Sequence, residues 1–145
     1  MKFYRLIHLA AAVFLSIFAG RAQNQQVTPE QREKQMMEAI DKETERLRNL
    51  LDLEYWQEFY VDSILTHDYA ALTKELEDMA KAKVENTDLY QSVQDKWMQQ
   101  IADSFQKVFT EEQWKQYMKS GGQRAQRERD KRREKAAKAS ADRKK

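Results

Sequence analysis

From Glu30 to Ser120 the chain contains neither proline nor glycine. Those two residues are the usual interruptions of a helix, one through its missing N–H and the other through its backbone freedom. A stretch this long without either, with apolar residues returning every three or four positions, is committed to helices. No segment alternates as a half-buried strand would. The expected fold class is all-α: a long antiparallel helical hairpin, closed by flanking helices into a small three- or four-helix bundle, with a charged C-terminal extension.

Polar breaks divide the stretch. Thr28-Pro29-Glu30-Gln31 has the form of a helix start, with a capping hydroxyl, a proline where its missing donor is harmless, and a glutamine able to reach back. Met36 or Met37, Ile40, Thr44, Leu47 and Leu51 then mark an amphipathic helix over about 28–50. Leu51-Asp52-Leu53 interrupts it, with Asp52 as the expected cap of a second helix over 53–83. Its expected inner stripe is Trp56, Phe59 or Tyr60, Ile64, Tyr69 or Leu72, Leu76 and Met79, with a kink possible at Thr66-His67-Asp68. A third helix, 88–108, starts with Asp88 and Gln91 as a cap pair and carries Tyr90, Val93, Trp97, Ile101, Phe105 and Val108. Phe109-Thr110-Glu111-Glu112-Gln113-Trp114 then forms a capping box with a hydrophobic staple, and Gly121-Gly122 is a natural stop.

The second and third helices form a hairpin if the chain turns near 85–86, which sets residues whose numbers sum to about 171 side by side. Gln57 then falls beside Trp114, and Trp56, Phe109 and Trp114 are expected in one aromatic cluster. Core packing is the ordinary fate of such rings. Tyr55, Trp56, Phe59, Trp114 and Tyr117 are the candidates for a client or packing surface, with Tyr55 and Phe59, offset from Trp56, the ones to check for exposure.

Residues 1–22 read as an export signal. Lys2 and Arg5 precede a 13-residue, largely apolar run from Leu6 to Phe18, and Gly20-Arg21-Ala22 places small residues ahead of a cut at Ala22–Gln23. As a helix that run spans about 20 Å, short of the roughly 30 Å of bilayer hydrocarbon. The expected location is periplasmic or secreted, with 23–27 a polar leader, 28–120 the bundle and 121–145 a basic low-complexity tail, either a solvated helix or disordered.

Charge separates the same parts. Residues 23–118 hold 20 acids and 11 bases, whereas 119–145 hold 12 bases and four acids. Arg124, Arg127, Arg129, Lys131, Arg132, Arg133, Lys135 and Lys138 are candidates to meet an anionic partner. Without a large apolar residue the tail has no core face, and without an aromatic it cannot stack bases, so nucleic acid is disfavoured. A solubilising extension, an anionic envelope surface, acidic clients and the protein's own acidic body are the readings left open.

Catalytic and cofactor chemistry finds little footing. The chain has no cysteine, no glycine-rich phosphate loop, and a single histidine, His67, beyond the leader. Ala70 and Ala71 stand where a second metal ligand belongs, so no metal or other cofactor is expected. Glu58 with Asp62 and Glu75 with Asp78 read as solvated charge, and the chain is expected to be no enzyme.

Leu53-Glu54-Tyr55-Trp56-Gln57 and Phe109-Thr110-Glu111-Glu112-Gln113 share one pattern: apolar, polar, any, any, Gln. The motif residues are Leu53, Glu54, Gln57, Phe109, Thr110 and Gln113. The pair resembles the doubled Leu-Thr-x-x-Gln motif of the Spy/CpxP-like family of periplasmic helical proteins, with Glu54 in place of the first Thr and Phe109 in place of the second Leu. The resemblance covers roughly 28–120. It implies an ATP-independent chaperone-like or envelope-stress-associated binding protein, a homodimer with a cradle-like surface, and unfolded or envelope proteins as partners. The alternative is an adaptor that docks to an anionic envelope surface through its tail.

Overall fold

The computed structural model describes residues 28–142, so the readings made for 1–22 and 23–27 and the last three tail residues lie outside the described residues. Five helices follow one another: α1 Pro29–Leu51, α2 Tyr55–Lys81, α3 Thr87–Val108, the short α4 Glu111–Tyr117, and α5 Gln123–Asp142, reached through a wide π-type turn at Met118–Gly122. The fold is all-α.

Each start has a local cause. Thr28 caps α1 in a full capping box, its Oγ1 accepting from the Gln31 N–H at 3.2 Å while Gln31 Oε1 accepts from the Thr28 N–H at 2.9 Å. Asp52 does not cap α2. It terminates α1 in the left-handed region (φ 49°), which aspartate tolerates better than most residues, and Glu54 takes the cap position. For α3 the cap is Asn86, which accepts from the Asp88 N–H at 2.9 Å, so Asp88 and Gln91 are not the pair. α2 runs unbroken through Thr66-His67-Asp68, consistent with the absence of any proline or glycine there.

α2 and α3 form the antiparallel hairpin in the expected register. Lys96 meets Glu75, Gln100 meets Asp68, and Gln113 meets Gln57. α1 runs antiparallel along α2, with Arg48 near Glu58 and Arg32 bound to Glu77. The core gathers at the open end of the hairpin: Ile40, Leu47 and Leu51 from α1, Val61 and Leu65 from α2, Ile101 and Phe105 from α3, and Leu53 and Phe109 from the two connections.

The inner face of α2 is the expected one in its later turns, where Leu72 and Leu76 are buried and Ile64 and Tyr69 pack against the core, but not in its first two. Gln57, Val61, Leu65, Asp68, Leu72 and Leu76 point inward, whereas Trp56, Phe59 and Tyr60 lie outside. Four aromatic residues in the first two turns cover so much of the helix circumference that spacing alone permits either rotation. The aromatic cluster differs accordingly. Phe105, Phe109, Tyr117 and Trp114 form it, with Phe109 5.2 Å from Phe105 and Trp114 stacked on Tyr117 at 5.3 Å, and Trp56 is not part of it.

Thr44 is buried on α1 and its hydroxyl has no hydrogen-bond partner among the described residues. An unpaired buried hydroxyl costs about 1–3 kcal/mol. Thr44→Val, which keeps the shape and drops the hydroxyl, is therefore expected to stabilise the fold by about 1 kcal/mol, read as a higher urea midpoint at unchanged slope.

Candidate functional site

Three chain ends converge where α1 stops, α2 starts and α3 hands over to α4. Helix ends leave backbone donors and acceptors without intrahelical partners, and buried ones must find others. Two glutamines, each the third residue of its helix, supply them. Gln57 Oε1 accepts from the Glu54 N–H at 3.0 Å, and Gln113 Oε1 accepts from the Thr110 N–H at 2.9 Å. Each amide then crosses to the other motif: Gln57 Nε2 donates to Val108 O at 3.0 Å and Gln113 Nε2 donates to Leu51 O at 3.2 Å. The two side chains also bond each other reciprocally, at 2.7 and 3.1 Å. Every donor and acceptor site of both carboxamides is used, which is what allows Gln57 to lie only 1% exposed.

The motifs differ in their first polar residue. Thr110 Oγ1 accepts from the Gln113 N–H at 3.3 Å, the ordinary closure of a capping box. Glu54 has a longer side chain and turns outward, its Oε2 accepting from the Trp56 indole N–H at 2.7 Å. Leu53 and Phe109, the apolar residues ahead of the caps, are both buried. The doubled motif is therefore a cross-brace.

Pointing Gln57 inward forces the opposite face of α2 outward. Tyr55, Trp56, Phe59 and Tyr60 stand 88%, 49%, 63% and 51% exposed. Tyr60 joins the others through edge-to-face contacts, 6.1 Å from Trp56 and 5.9 Å from Phe59. Sequence reasoning named the other three as surface candidates and gave Tyr60 only as the alternative to Phe59 on the inner stripe. Trp114 and Tyr117 belong to the core cluster rather than to this surface. Of the carboxylates nearby in the chain, Glu54 accepts from the Trp56 indole and Glu58 is paired with Arg48 at 3.7 Å.

Polar pairs tie the helices together elsewhere. Asp68, on the inner stripe of α2, accepts from Gln100 Nε2 at 3.1 Å and pairs with His67 Nδ1 at 2.8 Å, while the His67 ring stays in solvent. Its spacing from Leu65 and Leu72 was the signal that a carboxylate would be buried there. Burial, reinforced by the Glu43 carboxylate, pushes the Tyr69 and Tyr117 phenols above their ordinary range. Hydrogen bonds from Lys96 and then from the Trp97 indole hold the Glu75 carboxyl below the usual carboxylate range. A shallow concavity of about 510 Å³ near the hairpin turn is lined by Ala71, Lys74, Glu75, Asp78, Met79, Ala82 and Val84. Its charged groups are already occupied, Lys74 with Asp78 and Glu75 with Lys96.

The tail is a helix as far as Asp142, and it is not wholly solvated. Gly121, at a non-helical φ of 141°, ends the helical course as expected of the Gly121-Gly122 stop, and a new helix starts beyond the kink; a Cβ on Gly122 would lie 3.0 Å from Met118 Sδ and the Tyr117 ring. α5 then meets α3. Arg132 grips Asp95 with two hydrogen bonds of 2.7 and 2.8 Å, and Arg129, 8% exposed, donates to Gln99 at 3.2 Å. Burial lowers the pKa of Arg129, while the bonds to Asp95 raise that of Arg132. The expectation that the tail has no face to bury is corrected at Arg129, which is buried while its head bonds, whereas Arg132 stays exposed and holds α5 through its fork to Asp95. Within α5, Glu128 meets Lys131 and Asp130 meets Arg133.

No family model, curated protein or solved structure matches the chain at a significant level. Among the described residues no group of three or more His, Asp or Glu is placed to hold a metal ion, and no helix is long and apolar enough to cross a membrane.

Two predictions follow from this geometry. Gln57→Leu and Gln113→Leu each strand backbone groups at buried helix ends and are expected to cost about 2–4 kcal/mol. Their double variant should cost at least about 1 kcal/mol less than the two single losses together, measured by denaturant titration. For Glu75, folding depresses the carboxyl pKa, so its contribution is present above the unfolded value of about 4.3 and fades as pH falls through the lower folded value. Glu75→Gln should therefore lose less stability than the parent between about pH 5 and pH 2.

Proposed function

We propose that the protein is a non-enzymatic, ATP-independent, chaperone-like binding protein of the cell envelope, and that the outer face of α2 at Tyr55, Trp56, Phe59 and Tyr60 is its client-binding surface. One observation carries the reading: four large rings stand in solvent on the face diametrically opposite the core, although the core has its own aromatic cluster. Contiguous exposed apolar surface of this kind marks interaction sites. Aromatic rings suit transient capture of unfolded segments, since they offer large contact area at low entropic cost.

The doubled motif and the leader sequence support an assignment to the Spy/CpxP-like helical proteins on the same footing, and with it the homodimer and the periplasmic location. In that reading the cross-brace is the scaffold and the rings are the working surface. The alternative of a surface adaptor concerns α5, a separate element.

The test is light scattering of a reduced, aggregating client, with the parent protein and with Tyr55→Ser/Phe59→Ser/Tyr60→Ser. The parent should suppress aggregation at near-equimolar ratio. The triple variant should bind client at least about tenfold more weakly, because each ring removed from a contact forfeits on the order of 1 kcal/mol. Its melting temperature should be unchanged, since none of the three rings contributes to the core. No suppression by the parent would refute client capture, and full suppression by the variant would remove the rings from it.

A further inference from the structure

One side of α5 is bound to the bundle and the other is not. Arg129 and Arg132 turn toward α3, where Gln99 and Asp95 hold them. Arg124, Arg127, Lys131, Lys135 and Lys138 recur at steps of three and four, which places all five within about 80° of one another around the helix. Arg129 lies about 160° away from the centre of that row at 100° per residue. All five are exposed. Only Lys131 has an ion pair among the described residues, with Glu128 at 3.7 Å. The row is about 21 Å long at 1.5 Å per residue.

We infer that this row is a docking surface for an anionic lipid bilayer, on which α5 lies flat with the bundle held away from the membrane. The geometry separates this occupant from other polyanions. Glu128 borders the row on one side and Glu134 on the other, again at 100° per residue. A partner that wraps the helix, as the walls of a nucleic-acid groove do, brings its phosphates against those carboxylates. A plane meets the five cations first and leaves these two carboxylates at the margin of the contact, about 20° beyond the edges of the row. The acidic bundle of a second copy is a poorer match, because Lys34, Lys42 and Arg48 are interspersed among the carboxylates along α1. Residues 123–142 contain no apolar side chain larger than alanine, so α5 cannot insert, and attraction to the headgroups is its only source of affinity. That attraction reaches no farther than the Debye length, about 10 Å at 0.1 M salt and 3 Å at 1 M. This inference does not depend on client capture by α2.

The test is flotation of the full chain with phosphatidylcholine vesicles made with and without phosphatidylglycerol. Three proteins are compared: the parent, the row variant R124Q/R127Q/K131Q/K135Q/K138Q, and an off-row variant K34Q/K42Q/K107Q/K115Q/K119Q with the same change in charge. Any binding through residues 1–22, whose Lys2, Arg5 and Arg21 also favour anionic vesicles, is common to all three proteins and cancels when the two variants are compared. The parent should prefer anionic vesicles by at least about tenfold and lose that preference in about 1 M salt. The row variant should lose on the order of a hundredfold in affinity for them, while the off-row variant stays within about threefold of the parent. Circular dichroism and the urea midpoint verify that each variant is folded. Equal losses in the two variants, or no preference for anionic vesicles in the parent, would overturn the inference. So would tighter binding to duplex DNA than to vesicles at equal phosphate, or row-dependent self-association in sedimentation without vesicles.

Discussion

Two carboxamides hydrogen-bonded face to face at the meeting point of three helix ends hold this fold in register. Their burial is tolerable only because nothing in them is left unpaired. Each oxygen takes a cap N–H from its own helix, each nitrogen serves the last carbonyl of another helix, and the remaining valences close on each other. A hydrophobic pair of the same volume would pack, but it would abandon two main-chain donors and two main-chain acceptors at the junction. Leu53 and Phe109 add the apolar half of the same junction, so capping and core formation coincide in space. A small all-helical domain has few long-range constraints, and here one polar pair links α1, α2, α3 and α4.

That junction also determines what the surface presents. With Gln57 committed inward, α2 has only one rotation available, and the rings of its first two turns face solvent. In the other rotation Trp56 and Tyr60 would enter the core and Gln57 would leave it, with the cap at Glu54 and the carbonyl of Val108 losing their partners. The exposed aromatic face is thus a consequence of satisfying backbone hydrogen bonds. Electrostatics acts on a different element. α5 has no apolar face with which to find its place, and the Arg132–Asp95 fork with the Arg129–Gln99 bond fixes its orientation. The remaining cations are thereby sorted onto the side that faces away.

The first four helices could be read from the sequence to within about two residues, because capping boxes at Thr28 and Thr110 and the absence of proline and glycine are local causes, although the caps of α2 and α3 proved to be Glu54 and Asn86 rather than Asp52 and Asp88. The hairpin register was legible for the same reason, since two long helices joined by a short polar turn have little freedom to slide. The inner face of α2 was legible from Ile64 onward but not in its first two turns. Periodicity ranks faces by apolar content, and Tyr55, Trp56, Phe59 and Tyr60 outweigh Val61 and Leu65 by that measure. What decided the rotation was a long-range bond from Gln57 to Gln113, 56 residues away. The same limit applies to Asp68, whose burial depends on Gln100 of another helix, and to the tail, whose docking depends on Asp95 and Gln99. Residues whose role is to satisfy a distant partner look, in sequence, like ordinary polar positions.

The claim that the glutamine pair holds the junction can be measured at the two amides it covers. Cap N–H groups at helix starts ordinarily exchange with solvent at nearly unprotected rates, since no helical carbonyl shields them. If the cross-brace is as described, hydrogen exchange followed by NMR will show the Glu54 and Thr110 amides protected together, with an opening free energy close to that of global unfolding. Fast, independent exchange at either amide, in a protein whose core amides remain protected, would contradict the account.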